Sequence, residues 1–184
     1  DLATLITSRW DGVALSRVLV DSGYNPSEKA GKQHMVYEFC RKYPTFVIPT
    51  KGKDSLSKPY FFSKIEDHKK RKLHLLHLDS DHFKSWVYAR FDWPEDQPGR
   101  FHISQDTTDD YCMQVTAEAR AVSKSGRVKW IPLRKDNHYL DCEYLCVAGA
   151  HLMQVHRLLP LKDDGTVQQP ARKQRKVRHS GIRG

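Results

Sequence analysis

An apolar run that ends on a carboxylate, Val18-Leu19-Val20-Asp21, is the feature that most constrains how this chain can fold. Such a run predicts a strand buried on both faces, which is typical of a central strand in an α/β sheet. Asp21 then lies at the carboxyl end of the strand, the edge at which open α/β sheets bind ligands. Ser22-Gly23 lets the backbone turn away there. The alternative is an aspartate that only caps its own turn.

The following segments alternate between helical and strand patterns. Apolar residues within 32–43 recur on one helix face, and Phe46-Val47-Ile48 is a second strand, so a right-handed parallel crossover is predicted. A basic turn, Lys51-Gly52-Lys53, follows on the edge that carries Asp21. Residues 54–70 are interpreted mostly as a solvated loop, and residues 73–78 as a third strand. A helix with Phe83 on its apolar face comes next.

The second half predicts a hairpin and a long closing helix. Residues 117–123 and 127–133 form the arms of the hairpin around Ser125-Gly126. The helix begins after Asp136 or Asn137, and its apolar stripe consists of Leu145, Ala148, Leu152, Val155 and Leu159. Extended backwards by four residues, the stripe reaches Asp141. A carboxylate on a buried face is costly unless a metal ion, or an arginine or lysine, meets it.

Acidic residues therefore stand at three places that the fold could bring together. Asp21 and the Asp79-Ser80-Asp81 cluster follow strands, and Asp141 heads the closing helix. Oxygen ligands in this layout are typical of a site for Mg²⁺ or Mn²⁺. For Ser80 and Asp81 the alternative is capping of the next helix.

Two other metal sites are considered. A transition-metal site around His74, His77, Asp79, Asp81 and His82 is disfavoured, because His74 and His77 would lie on opposite faces of a strand. Cys142 and Cys146, one helical turn apart, are interpreted as small core residues rather than ligands.

Charge divides the chain into two parts. Its 31 basic and 22 acidic residues give a net charge of +9, which favours a polyanionic partner. Residues 161–184 hold seven basic groups and two acidic ones, so a domain over 1–160 and a flexible basic tail are predicted. No apolar run is long enough to span a membrane, no signal peptide is recognisable, and four scattered cysteines favour a reducing compartment.

Several segments, in order, carry a resemblance to a known family. They are Val20-Asp21-Ser22-Gly23-Tyr24, Val36-Tyr37-Glu38-Phe39-Cys40-Arg41, Lys51-Gly52, Ser80-Asp81-His82-Phe83-Lys84 with Tyr88-Ala89-Arg90-Phe91, Gln114-Val115-Thr116-Ala117-Glu118, and Asn137-His138-Tyr139-Leu140-Asp141-Cys142 with Tyr144. From about Val18 to Ala150 the chain resembles the nuclease domain of large terminase subunits of the phage-lambda type. The resemblance implies an RNase H-like mixed sheet flanked by helices, and metal-dependent cleavage of concatemeric double-stranded viral DNA during packaging.

The resemblance also implies roles for individual residues. Asp21 and Asp141 would be catalytic acids and metal ligands. Asp81 matches the family's T-D-x-x-K pattern, with Ser80 for the threonine and Lys84 at the basic position, and Asp79 is the fallback. His138 stands where the family's N-E-A-L-D-C motif has glutamate. The family's first acid lies on an earlier strand that is not found before Val13, so the chain is expected to begin partway through the domain and to lack the first strands of the sheet.

The implied cofactors are two Mg²⁺ or Mn²⁺ ions, one activating water and one stabilising the leaving 3′ oxygen. The predicted DNA contacts are Lys51, Lys53, Lys84, Arg172, Lys173, Arg175 and Lys176. The implied partners are double-stranded DNA, the small terminase subunit, the portal protein and the ATPase domain of the same subunit, in the host bacterial cytoplasm, with no membrane. The chain has no G-x-x-x-x-G-K-[ST] motif, so the ATPase lies outside it.

Two alternative functions remain at this point. One is a non-catalytic DNA-binding or docking module of a packaging motor. The other is a different RNase H-like nuclease, of the resolvase or transposase type.

Overall fold

A computed structural model describes residues 1–23, 31–66, 70–124, 126 and 128–158. The helices are α1 (Leu2–Thr7), α2 (Gly31–Lys42), α3 (Ser80–Phe91), α4 (Asp109–Val115) and α5 (His138–Leu152), followed by a 3₁₀ turn over Val155–Arg157. The strands are β1 (Arg9–Trp10), β2 (Val13–Ala14), β3 (Val18–Asp21), β4 (Val47–Lys53), β5 (Tyr60–Glu66), β6 (Lys72–Asp79), β7 (Glu118–Val122) and β8 (Val128–Pro132).

The main sheet has four strands in the order β3-β4-β6-β5. β3, β4 and β6 are parallel, whereas β5 pairs antiparallel with β6. The predicted parallel crossover from β3 to β4 is therefore confirmed. Within the described residues β3 is an edge strand, and its three apolar residues are only half-buried. The sequence predicted a central strand buried on both faces. In the described structure β3 instead pairs with β4 alone.

Two strands depart from their sequence predictions. β4 continues through Pro49 to Lys53, so the expected basic turn at 51–53 belongs to the strand. β5 occupies much of the segment that was interpreted as a loop, and pairs with β6 from Tyr60↔Leu78 to Glu66↔Lys72. Polar residues along this edge strand obscured its pattern, because long-range pairing rather than local hydrophobicity holds it in place.

The sheet is covered on both faces. Leu76 and Leu78 of β6 pack with α3 and α5 through Phe83, Val87, Leu140, Tyr144 and Ala148. On the other face, Val47 of β4 and Leu73 of β6 pack with Cys40 of α2 and Ile6 of α1. Since side chains alternate along a strand, Leu19 and Ile48 belong to the α3 and α5 face, and Val18 and Val20 to the α2 face.

The structure of the second half of the chain largely agrees with the sequence predictions. β7 and β8 form the predicted antiparallel hairpin, with Arg120 opposite Trp130, and Asn137 is the N-cap residue of α5. The buried face of α5 runs through Leu140, Tyr144 and Ala148, and Ala148 is the one member of the predicted stripe that is fully buried among the described residues. The helix ends at Leu152, earlier than predicted: Val155 lies in the 3₁₀ turn, and Leu159 lies outside the described residues.

Cys142 and Cys146 are exposed, so their predicted place in the core is wrong. The reason is that the core contains Leu140, Tyr144 and Ala148 of α5, which lie on a different face of the helix from Cys142 and Cys146. The tail, residues 161–184, lies outside the described part of the chain. In that described part, no helix combines the length and the apolar character that crossing a membrane requires.

Candidate active site

A cleft of about 470 Å³ opens where β3, β4 and β6 end and where α3 and α5 meet the hairpin. Its lining is polar and rich in charged side chains, and consists of Asp21, Gly23, Gly52, Asp54, Ser80, Asp81, Lys84, Glu118, Val128, Lys129, Trp130 and Tyr144. The cleft thus lies at the carboxyl edge of the parallel strands, where the sequence places Asp21.

The end of β3 presents Asp21 to this cleft. The backbone N–H of Gly23 donates a hydrogen bond to Oδ1 of Asp21 over 2.7 Å. A Cβ atom at position 23 would lie 2.9 Å from the same oxygen, so a larger residue there would have to displace the Asp21 carboxylate. Buried Ser22 anchors the turn by donating its hydroxyl to the Thr50 carbonyl at 2.7 Å. Among the described residues, no further hydrogen bond reaches the Asp21 carboxylate.

A buried lysine joins the other two acids. Lys84, on the first turns of α3, places Nζ 2.8 Å from both carboxylate oxygens of Glu118 and 3.4 Å from Oδ1 of Asp141. Asn137 donates its amide to Oε1 of Glu118 at 2.6 Å. The ammonium group also lies 5.5 Å from the centre of the Tyr144 ring. Glu118 therefore accepts three hydrogen bonds, whereas Asp141 has one ionic contact, with Lys84 at 3.4 Å.

Asp21 and Asp141 lie close enough for their charges to interact. Burial raises the pKa of Asp141, the Lys84 ammonium opposes that rise, and the negative charges of Glu118 and Asp21 add to it. The pKa of Tyr144 is raised by burial and then by the charges of Asp141 and Asp21. The structure thus brings together the acid at a strand end and the acid of the closing helix, as the sequence predicted. Their catalytic and metal-binding roles stay predictions.

The acids at the end of β6 and the start of α3 have other partners. Asp79 caps α3, and accepts hydrogen bonds from the backbone N–H groups of His82 and Leu56, both at 2.9 Å. Asp81 lines the cleft, but its oxygens accept hydrogen bonds from Arg120 at 3.1 and 3.2 Å and from the Trp130 indole at 3.0 Å. Neither carboxylate is joined to Asp21 and Asp141 by a contact in the described structure.

Glu118 is the acid that sequence reasoning left without a role. It begins β7, is 8% exposed, and shares the Lys84 ammonium with Asp141. The available signal was its place at the end of Gln114-Val115-Thr116-Ala117-Glu118, one of the segments that resemble the terminase nucleases. A glutamate at the start of a hairpin strand has no periodic signature of burial.

The predicted DNA-binding lysines occupy different surroundings. Lys84 is 8% exposed and directed at carboxylates. Lys51 and Lys53 alternate with Gly52, which faces Tyr144, so they lie on the opposite face of the sheet from the cleft. Their positive charges help burial to lower the pKa of His77 on that face. The exposed lysine that does line the cleft is Lys129 of the hairpin.

The alternative histidine site is not assembled. His74 contacts Phe62 and His77 stacks on Phe61, which lie on opposite faces of the sheet, as predicted for these two histidines. Across the described residues, no group of three or more His, Cys, Asp or Glu side chains is arranged to hold a metal ion.

These elements form a mixed α/β domain whose parallel strands end at a cleft lined by Asp21 and Glu118, and Lys84 joins Glu118 to Asp141. The family model described as terminase large subunit gpA, endonuclease domain, matches residues 6–161. The chain therefore belongs to that family, and the resemblance recognised in the sequence is confirmed over a longer span. Comparisons with curated proteins and with solved structures give no match.

Proposed function

We propose that this domain hydrolyses phosphodiester bonds of double-stranded DNA with the help of Mg²⁺ or Mn²⁺ during viral genome packaging. The observation that carries the proposal is the group of acids at the carboxyl edge of the sheet of a terminase endonuclease domain: Asp21 lines the cleft, and Glu118 and Asp141 both contact Lys84. Carboxylates that repel each other and face water favour a divalent cation, and an oxygen-only donor set favours a hard one.

Asp21 and Asp141 are the proposed metal ligands. Mg²⁺ is commonly held by one or two carboxylates together with substrate phosphates, so a pair of acids fits an ion that binds along with DNA. When bound, the ion supplies an activated water and neutralises charge that develops on the phosphate. Lys84, which is paired with Glu118, positions Asp141 through their ionic contact. The contacts of Asp81 and Asp79 support an anchoring and a capping role for them instead of the predicted ligation.

The DNA contacts are proposed in two groups. Lys129 at the cleft is suited to meet the phosphates beside the scissile bond. The DNA backbone farther from the scissile bond would be bound by Lys51, Lys53 and the tail residues Arg172, Lys173, Arg175 and Lys176. Lys84 is buried, so it is not included among the proposed DNA contacts.

Further properties are proposed from family membership. They are an RNase H-like arrangement of the sheet, cutting of concatemeric DNA, association with the small terminase subunit, the portal protein and the ATPase domain, and action in the host cytoplasm.

One observation favours a second candidate, a DNA-binding or docking module without catalysis. The described residues contain no ready-made group of three metal-ligating side chains. Such a module would bind DNA through the same basic residues and would not depend on Asp21 or Asp141.

Plasmid nicking in Mn²⁺ distinguishes the two functions. We expect Asp21→Asn and Asp141→Asn to slow nicking by roughly a hundredfold or more, since loss of outer-shell partners alone costs 10–100-fold at metal sites. EDTA should abolish nicking by the unsubstituted chain. Asp96→Asn, at an exposed position outside the cleft, is the matched control and should nick normally.

Two outcomes would contradict the nuclease proposal. One is nicking at the unsubstituted rate by Asp21→Asn or Asp141→Asn. The other is DNA binding without nicking by the unsubstituted chain, which is the result expected of the non-catalytic module. Circular dichroism and thermal unfolding of each variant show whether it is folded.

A further inference from the structure

A row of three side chains crosses the face of the main sheet that is turned away from the cleft. Lys51 of β4 lies opposite His77 of β6, and His77 lies opposite Phe61 of β5. Neighbouring strands are about 4.8 Å apart, so the backbone positions of the row span about 10 Å. Lys53 lies two residues beyond Lys51 and therefore on the same face. Two lysines and an aromatic ring thus share one surface of the sheet.

The Phe61 ring is held in one orientation and is open to solvent. It stacks on the His77 ring, with ring centres 4.5 Å apart and planes 11° apart. Nε2 of His77 lies 2.8 Å from the Ser63 hydroxyl, and this hydrogen bond fixes the imidazole in the stack. Phe61 is nevertheless 43% exposed. An aromatic ring that is oriented on one face and reached by solvent elsewhere is suited to stack on a second flat ring.

The positive charge beside this ring is available to a ligand. Among the described residues, no ion pair involves Lys51 or Lys53. Asp79 lies opposite Lys53 in the strand register, but it is 7% exposed and its carboxylate accepts hydrogen bonds from two backbone N–H groups. Burial lowers the pKa of His77, and the charges of Lys53 and Lys51 lower it further, so its ring is uncharged at neutral pH. The surface therefore combines two cations with a neutral aromatic stack.

We propose that the surface formed by Lys51, Lys53, Phe61 and His77 binds single-stranded DNA, with an unpaired base stacked on Phe61 and the adjoining phosphates at the two lysines. Aromatic platforms beside cations bind single strands without reading sequence, because every base has an aromatic face and every phosphate a negative charge. Inside a duplex both faces of a base are covered by its neighbours, so Phe61 would have no base to stack on. The chain belongs to a terminase endonuclease family, so the single strand that it meets is DNA. This binding lies on the opposite face from the cleft and is separate from the cutting proposed above.

Fluorescence anisotropy of labelled DNA tests the proposal on the full chain, in EDTA so that no metal-dependent cutting occurs. The probes are an oligothymidylate of about 12 nucleotides, within the size range of known single-strand sites, and the duplex that it forms with its complement. Phe61→Leu keeps an apolar side chain but removes the aromatic face. It should weaken binding of the oligothymidylate roughly fivefold or more, the usual loss for one stacked base, and leave binding of the duplex unchanged.

Phe62→Leu is the matched control. Phe62 is the next residue of β5, is 45% exposed, and lies on the opposite face of the sheet. Its substitution should leave the binding of both probes unchanged, and Phe61→Tyr, which keeps an aromatic face, should also bind the oligothymidylate normally. Normal binding by Phe61→Leu would overturn the proposal. Equal losses in Phe61→Leu and Phe62→Leu, or equal losses on single-stranded and duplex DNA, would overturn it too.

The lysines give a measurement that does not depend on the ring. Lys51→Gln/Lys53→Gln should lower the slope of log affinity against log salt for the oligothymidylate by roughly 0.7 for each phosphate contact that is lost. Lys64→Gln/Lys72→Gln removes the same charge from the opposite face and should leave the slope unchanged. An unchanged slope in Lys51→Gln/Lys53→Gln, or an equal change in both double variants, would overturn the proposal.

Photocrosslinking of the unsubstituted chain keeps the test decisive if Phe61→Leu does not fold. An oligothymidylate in which one base is replaced by 5-iodouracil forms a covalent bond, under ultraviolet light, with an aromatic side chain that is stacked on that base. Peptide mapping should place a crosslink at Phe61, and crosslinks confined to other residues would overturn the proposal. All of these measurements report binding without cutting, so their failure would leave the nicking test of the proposed function unaffected.

Discussion

Single residues decide how closely the elements around the cleft approach one another. Gly52 of β4 lies against the start of α3 and the middle of α5. A Cβ atom there would be 2.6 Å from the Ser80 hydroxyl and 3.2 Å from the Tyr144 hydroxyl. The backbone of β4 is thus packed against the two helices that provide Lys84 and Asp141, and glycine is the residue that fits.

We predict that Gly52→Ala lowers the free energy of unfolding by about 1–3 kcal/mol, the usual cost of overpacking a tight site. Chemical denaturation with urea measures it. Ser80→Ala removes the nearest atom. Adding Gly52→Ala to the Ser80→Ala variant should therefore lower the free energy of unfolding much less than Gly52→Ala lowers it in the unsubstituted chain. Additive effects of the two substitutions would show that the Ser80 contact is not the cause.

At the scale of elements, the β7–β8 hairpin is attached to α3 by side-chain contacts, and one of these side chains, Asp81, was predicted from the sequence to be catalytic. Asp81 accepts hydrogen bonds from Arg120 of β7 and from the Trp130 indole of β8. The Trp130 ring also packs on Tyr88 of α3, with ring centres 4.8 Å apart. These contacts hold Lys129 over the cleft, and they give Asp81 a structural reason for its place at the start of α3.

We predict that Asp81→Asn and Arg120→Gln act through the same contact. Each should destabilise the chain by roughly 0.5–1 kcal/mol, because the pair is partly exposed, and the double variant should lose less than the sum. Urea denaturation of the four proteins gives the coupling energy. In the nicking assay at saturating DNA, both single variants should retain activity.

Loss of nicking by Asp81→Asn alone, with Arg120→Gln active, would contradict the anchoring role. That result would restore Asp81 to the catalytic role predicted from the sequence.

For the whole molecule, the excess of positive charge is concentrated in the last part of the sequence. The net charge is +9, and the tail at 161–184 contributes seven basic residues against two acidic ones. The family match ends at residue 161, where this tail begins. A basic segment next to a nuclease domain attracts any polyanion at low salt, so its first effect should be on DNA affinity.

We predict that deletion of residues 161–184 weakens DNA binding at low salt and has little effect at high salt. The slope of log affinity against log salt should fall by roughly one unit for each phosphate contact that is lost. Fluorescence anisotropy on two unrelated duplexes measures both. Gln at positions 172, 173, 175 and 176 is the matched control, because it removes charge without shortening the chain.

Nicking of bound DNA should continue after the deletion. If it stops, the tail is part of the folded domain and the boundary at Pro160 is wrong. If DNA binding at low salt is unchanged but association with a portal protein is lost, the tail is a docking peptide and not an electrostatic arm.

Local patterns in the sequence determined much of this structure. The run that ends at Asp21, the crossover to β4, the hairpin and the N-cap at Asn137 all follow from periodicity and turn chemistry. Asp141 was found in the same way, because helical spacing placed a carboxylate at the head of an apolar stripe. Short-range geometry fixes such features, so a single sequence records them.

The tertiary structure decided which charged groups meet. Asp81 and Glu118 are 37 residues apart, and no local pattern shows that one is bound by the hairpin while the other is buried beside Lys84. The same holds for β5, which exists as a strand through its pairing with β6. Long-range packing brings these partners together, and burial then determines whether a lysine is available to bind DNA or pairs with a carboxylate. That is why the sequence predicted Asp21, Asp81 and Asp141, and only the fold showed that Glu118 lies beside Lys84 and Asp141.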